Sequence, residues 1–171
     1  MNVFASAETR HERASHGRGV VSPPLNVSSV SYMPFTAICE VGSNIRAGSI
    51  VCFSSPLGLV ATPASGAYSA SKAGILALVR SLAVDHARDG IRVNAVLPGP
   101  TETKLMWANV PDDEVDTMRD VIRGEVPLGR LAEPEEVARV AVWLLSDDAS
   151  YITGAQIACD GGILARAAVS V

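Results

Sequence analysis

The apolar positions of this chain change period several times, and each change predicts an element. Residues 48–53, Gly48-Ser49-Ile50-Val51-Cys52-Phe53, are almost wholly apolar, the pattern of a parallel strand covered on both faces, and Ser54 and Ser55 end the run. A second such run, Ile91 to Leu97, stops at Pro98-Gly99-Pro100, and a third, 155–159, stops at Asp160-Gly161-Gly162. Between the first two, residues 66–88 carry Ala70, Ala73, Leu76, Ala77, Val79, Leu82 and Ala83, a helix apolar over much of its circumference and so buried by more than its own sheet. Asp89-Gly90 reads as its C-cap turn. Another helix starts at Glu133-Pro134-Glu135-Glu136, with proline at an early position and acids that complement the dipole. Its buried stripe is Val137, Val140, Ala141, Leu144 and Leu145.

The remaining segments are less regular. Apolar residues at 27, 30, 33 or 35, and 38 predict an amphipathic helix over 26–41, kinked at Pro34. Residues 1–24 show no clean period and end at Pro23-Pro24, so they read as a poorly ordered tail in which His11 and His16 are solvated. Pro56, Gly58, Pro63 and Gly66 make the stretch between Ser55 and Tyr68 a loop. Residues 104–129, with an acidic helix entered at 111–114, suit a flap over a substrate. Met106 and Trp107 either line the pocket or pack under that flap.

Composition narrows the classes. At 171 residues with 48% hydrophobic residues, the chain supports one domain with a real core, here residues 25–171. Its net charge of −4 arises from 14 basic and 18 acidic residues spread along the sequence, so no basic stripe advertises nucleic acid. No apolar run reaches the ~18 residues of a membrane span, and no signal-peptide core precedes the first charges. Cys39, Cys52 and Cys159 are odd in number and lack C-x-x-C spacing, which points to reduced thiols and the cytoplasm. A small-molecule substrate is the default expectation.

Candidate chemistry centres on Tyr68 and Lys72. Four residues apart on a helix, they share one face. A free phenol has a pKa near ~10, and a cation within reach can lower it by ~1–3 units, so the pair can trade a proton with a substrate oxygen. Alone, such a pair is common on solvated helices. Here Ser55 closes the preceding strand, at the carboxyl end where α/β sheets bind ligands.

The ordered set Ser55, Tyr68, Lys72, Asn94-Ala95, Pro98-Gly99, Gly129-Arg130 and Asp160-Gly161-Gly162 resembles the C-terminal half of a short-chain dehydrogenase/reductase, from about Asn26 to Gly162. Within that family it looks most like the branch of the 3-oxoacyl-acyl-carrier-protein reductases. The resemblance implies an α/β fold, a partial Rossmann-like, doubly wound parallel sheet keeping about three strands with flanking helices. It also implies NAD or NADP as cofactor, and a carbonyl or secondary alcohol as substrate. Tyr68 would pass the proton, Lys72 would lower its pKa and hold the nicotinamide ribose, and Ser55 would orient the substrate oxygen. Pro98 and Gly99 would bring backbone against the nicotinamide, glycine permitting the approach, while Thr101 and Thr103 bond its carboxamide and phosphate. Asn26 falls where the family carries a helix asparagine that holds a relay water, or else it caps its own helix. The helix over 66–88 would form a subunit interface, hence a homo-oligomer, dimer or tetramer.

One part of the family pattern is missing from this sequence. No glycine-rich strand-turn-helix and no Asn-Asn-Ala-Gly segment precedes residue 48. The expectation is either a fragment or truncated reading frame, or that something else fills the gap, since the Ile50 strand has an edge needing a partner. Two functions stand first, an NAD(P)-dependent oxidoreductase or an impaired chain that survives as an oligomerising scaffold. A lyase or epimerase using the same Tyr68 and Lys72 is a further alternative, against which Pro98-Gly99 and Asp160-Gly161-Gly162 favour the reductase branch.

Overall fold

In the computed structural model of the chain, the described residues are 36–40 and 48–166. They build a four-stranded sheet in the order β1-β2-β3-β4, with β1 Thr36–Glu40, β2 Gly48–Phe53, β3 Ile91–Pro98 and β4 Gln156–Cys159. Strands β2, β3 and β4 run parallel, in registers that pair Ile50 with Val93 and Ala95 with Gln156. The helices are α1 Gly66–His86, α2 Lys104–Trp107, α3 Val115–Glu125 and α4 Pro134–Leu145. The three predicted parallel strands and the helices of a doubly wound α/β fold are therefore present.

The helix predicted over 26–41 is not what the chain forms at 36–40. That stretch is β1, antiparallel to β2 with Ile38 opposite Ile50. The physical reason is the demand of the neighbouring edge: a β2 strand left open on one side exposes a row of N–H and C=O groups. Thr36 and Ile38 are β-branched and suited to a strand, and Pro34 disfavours a helix running through it. Asn26 lies outside the described residues.

Strand alternation explains the two-faced core. Val51 and Cys52 point to opposite faces, as do Val96 and its neighbours Ala95 and Leu97. One face buries Val51 and Val96 against Val137, Ala138, Ala141, Leu144 and Leu145 of α4. The other buries Cys52, Val93, Ala95 and Leu97 against Leu76, Val79 and Ala83 of α1. Each large apolar side chain so covered contributes about 1.5–3 kcal/mol. The spacing of Leu76, Val79 and Ala83 is one narrow helical stripe, whereas Leu78 and Val84 on the same helix are exposed. In this chain, then, the sheet covers only part of the apolar circumference of α1.

Asn94 ties strands together, as its place in an apolar run requires. It is fully buried, its Nδ2 donates to the Ile152 carbonyl at 2.9 Å, and its Oδ1 accepts from the Ala155 N–H at 3.0 Å. Helix α4 opens with a reciprocal capping box between Glu133 and Glu136. At its other end Arg92 donates to the carbonyls of Leu144 and Ser146. These bonds fix α4 against β3, and thereby the floor of the cleft described next.

Candidate active site

Ser54 and Ser55 sit at the carboxyl end of β2, where the strand gives way to a 3-10 turn at Pro56–Gly58. The turn packs directly on α1: a Cβ at Gly58 would lie 3.1 Å from the Lys72 carbonyl carbon, from Leu76 Cδ1 and from Ser54 Oγ. Ser54 Oγ donates to the Lys72 carbonyl at 2.9 Å. The strand end is thus bolted to α1 at the turn that carries Lys72.

Helix α1 begins at Gly66, behind a turn closed by Ser65, whose Oγ donates to the Thr62 carbonyl at 2.6 Å and accepts from the Thr62 N–H at 3.1 Å. Tyr68 follows in the first helical turn and is half exposed. One turn along, the Lys72 ammonium donates to the Phe53 carbonyl at 3.3 Å and lies 5.6 Å from the Tyr68 ring centroid. Burial pulls Lys72 below the usual lysine pKa. The strand-end carbonyl and the phenol ring therefore hold a partly desolvated cation beside the Tyr68 side chain.

A cleft of about 990 Å³ opens over the carboxyl ends of β2 and β3, large enough for a cofactor end and a small substrate. Of the sequence-predicted residues, Tyr68, Lys72, Pro98, Gly99, Thr101 and Thr103 line it. Ser55 does not: it is buried, and its hydroxyl accepts the Leu57 N–H at 3.2 Å as cap of the 3-10 turn. Its neighbours Ser54 and Pro56 line the cleft instead. Thr103 caps α2 by accepting the Met106 N–H at 3.2 Å, and Thr101 Oγ1 donates to the Gly99 carbonyl at 2.9 Å.

Gly99 has a reason to be glycine within the chain itself. An added Cβ would come 2.6 Å from Asp160 Cα, so the turn after β3 and the turn after β4 touch backbone to backbone. Asp160 in turn accepts the N–H groups of Gly162 and Leu164, both at 2.9 Å. The close approach expected of this glycine toward a cofactor is thus also an approach toward Asp160.

The flap residues divide. Met106 lines the cleft with Leu105, Ile122 and Glu125. Trp107 is not among the lining residues, and its indole N–H donates to Glu102. Sequence reading missed Glu102, Arg119 and the cleft-lining Glu125 and Arg166. A glutamate five residues before a tryptophan was the available signal, and it is a weak one.

Comparison with known proteins bears on the family of the chain. A family model described as "Enoyl-(Acyl carrier protein) reductase" matches residues 21–164. An uncharacterized oxidoreductase of Bacillus subtilis is 45% identical over 121 residues, covering 69% of this chain and 44% of its own. The cis-4-hydroxycyclohexanecarboxylate dehydrogenase of Sinomonas cyclohexanicum is 49% identical over 118 residues, covering 69% of this chain and 45% of its own. Among solved structures, the ligand-free aldohexose dehydrogenase of Thermoplasma acidophilum superposes with a TM-score of 0.68 at 32% identity, covering 74% of this chain and 51% of its own. The chain spans about half the length of the curated relatives it matches. With the β2 end, the Tyr68–Lys72 turn and the Pro98-Gly99 turn assembled around one cleft, the chain belongs to the short-chain dehydrogenase/reductase family.

Proposed function

We propose that this chain carries the proton-transfer machinery of an NAD(P)-dependent oxidoreductase that interconverts a secondary alcohol and a carbonyl. The single observation behind the reading is the Lys72 ammonium held 5.6 Å from the Tyr68 ring on the wall of the cleft. Tyr68 takes the alcohol proton on its phenolic oxygen in oxidation and returns it in reduction. Lys72 sets its charge 5.6 Å from the phenol ring and offers N–H donors to a ribose hydroxyl. Ser55 lies behind the cleft lining, two residues past Phe53, and what it would offer a substrate oxygen is the hydroxyl proton that its cap bond to Leu57 leaves over.

The donor set suits a nicotinamide end. Pro98, Gly99, Thr101 and Thr103 line the same cleft as Lys72, and these four with Tyr68 and Lys72 would hold it. A bound nicotinamide, from NAD or NADP, supplies the hydride acceptor or donor. The chain supplies orientation and the proton. Relatives named for a hydroxycyclohexanecarboxylate and an aldohexose make cis-4-hydroxycyclohexanecarboxylate and aldohexoses the first substrates to try.

The outward stripe of α1, with Ala70, Gly74, Ala77, Leu78, Ser81 and Val84 exposed, supports a homo-oligomer, dimer or tetramer, seated on that helix. A cytoplasmic setting fits three cysteines without paired spacing. Titrating the purified chain with NADH and with NADPH tests the reading. A saturable change in nicotinamide fluorescence is expected, and its absence with both favours the oligomerising scaffold.

A further inference from the structure

Glu102 stands on a fixed base. Its N–H donates to the Ala132 carbonyl at 2.9 Å, the Ala132 N–H donates to the Pro100 carbonyl at 2.9 Å, and Thr101 forms a parallel bridge to Ala132. From this base the carboxylate reaches two separate helices. Its Oε2 accepts from Trp107 Nε1 at 2.8 Å, and its Oε1 accepts from Arg119 Nε at 2.7 Å. The Arg119 guanidinium lies 5.0 Å from the Trp107 ring centroid, so the two partners also touch each other. The side chains of Arg119 and Glu102 are 36% and 28% exposed, so this is a partly screened ion pair whose strength rests on its geometry.

What hangs from it is the wall of the cleft. Helices α2 and α3 contain no fully buried residue, so little apolar burial secures them. Yet they carry Leu105, Met106, Ile122 and Glu125, which face the same cleft as Tyr68 and Lys72. Burial would push the Glu102 carboxyl up, but the hydrogen bonds from Arg119 and Trp107 and the Arg119 charge bring it below the ordinary carboxylate value. It therefore stays ionised and bonded at neutral pH.

We propose that Glu102 is a positioning residue, a latch that holds α2 and α3 in one place so that Leu105, Met106 and Ile122 form the substrate-side wall of the cleft. The functional part of this inference rests on the oxidoreductase reading; the latch itself does not. Without Glu102, Trp107 and Arg119 lose their shared acceptor and the wall moves as two loose pieces.

The test uses the full chain with Trp143→Phe, which leaves Trp107 as the reporting tryptophan. Glu102→Ala is expected to red-shift Trp107 emission and to raise tryptic cleavage within residues 104–125 about tenfold to a hundredfold, the loss of charge-assisted hydrogen bonds. The global unfolding midpoint stays unchanged. Glu102→Gln keeps an acceptor for the indole but drops the ion pair, and falls between the two. For an alcohol that the chain turns over, Glu102→Ala raises KM about tenfold or more with kcat nearly unchanged, as misplaced positioning groups do. Unchanged emission and cleavage in Glu102→Ala would overturn the latch, and so would a fall in the global midpoint that accounts for the cleavage. Emission and cleavage need no turnover, so they decide the latch independently of the oxidoreductase reading.

Discussion

Lys72 and Tyr68 stand one helical turn apart on α1, with the ammonium 5.6 Å from the ring centroid and hydrogen bonded to the Phe53 carbonyl at 3.3 Å. The relationship joins two elements: the helix supplies the spacing, and the end of β2 supplies the carbonyl that keeps the cation in place. Ser54, which ties its hydroxyl to the Lys72 backbone, sets the distance between them.

Lys72→Met separates function from stability. Burial disfavours the Lys72 charge, since its pKa in the folded chain lies below the ordinary 10.5. The charge thus weakens the native state while the lysine is protonated in both states, and that penalty is relieved as pH rises through the folded pKa toward the unfolded one. The variant should unfold no more easily than wild type at neutral pH, lose the alkaline rise in stability, and lose turnover. Denaturant midpoints across the alkaline range check the sign; a variant clearly less stable at neutral pH would contradict it.

Two glycines should respond to alanine in opposite directions. Gly99→Ala drives a Cβ to 2.6 Å from the Asp160 backbone, an overpacking worth about 1–3 kcal/mol of stability. Gly124, inside α3, has nothing within 4 Å of an added Cβ, and alanine there stabilises by about 0.5–1 kcal/mol. Urea unfolding of both variants reads the pair.

The acid limb of stability runs through Glu136. Its carboxylate takes Arg130 in a two-pronged bond at 2.6 and 2.8 Å and closes the α4 capping box through the Glu133 N–H. These bonds, the Arg130 hydrogen bonds first, pull its pKa from 4.5 down to about 2. Because the folded value is depressed, the contribution is complete above the ordinary value and fades as pH falls toward about 2. Glu136→Gln should therefore be less stable than wild type at pH near neutrality and approach it in strong acid. Midpoints that stay equally far apart at both ends would refute the assignment.

Much of the fold is legible because its elements are punctuated locally. The runs at 48–53, 91–97 and 155–159 are apolar and end at Ser, Pro-Gly or Asp-Gly-Gly, and the strands lie within a residue or so of them. Gly90 takes the left-handed φ of 75° that a helix-ending turn requires. The segment holding β1 fails that logic. Its apolar residues fit a helical period, and nothing local shows that Ile38 will pair with Ile50.

The site divides the same way. Tyr68 and Lys72 are visible because helical geometry alone brings residues four apart together. The contacts of Gly99 with Asp160 and of Glu102 with Arg119 join residues far apart in sequence, where spacing carries no signal. The Ser55 hydroxyl is taken up as a cap because the loop after β2 curls into a 3-10 turn, a backbone choice that composition leaves open.

The most direct measurement compares alcohol-dependent nicotinamide reduction by the wild-type and Tyr68→Phe chains, with cofactor binding and unfolding midpoints measured alongside. Tyr68 is half exposed, so the fold should survive, and the binding measurement separates lost turnover from lost cofactor. Turnover should fall by about 10²–10⁴-fold, the contribution of a positioned general acid or base. Equal turnover in the two chains would contradict the account.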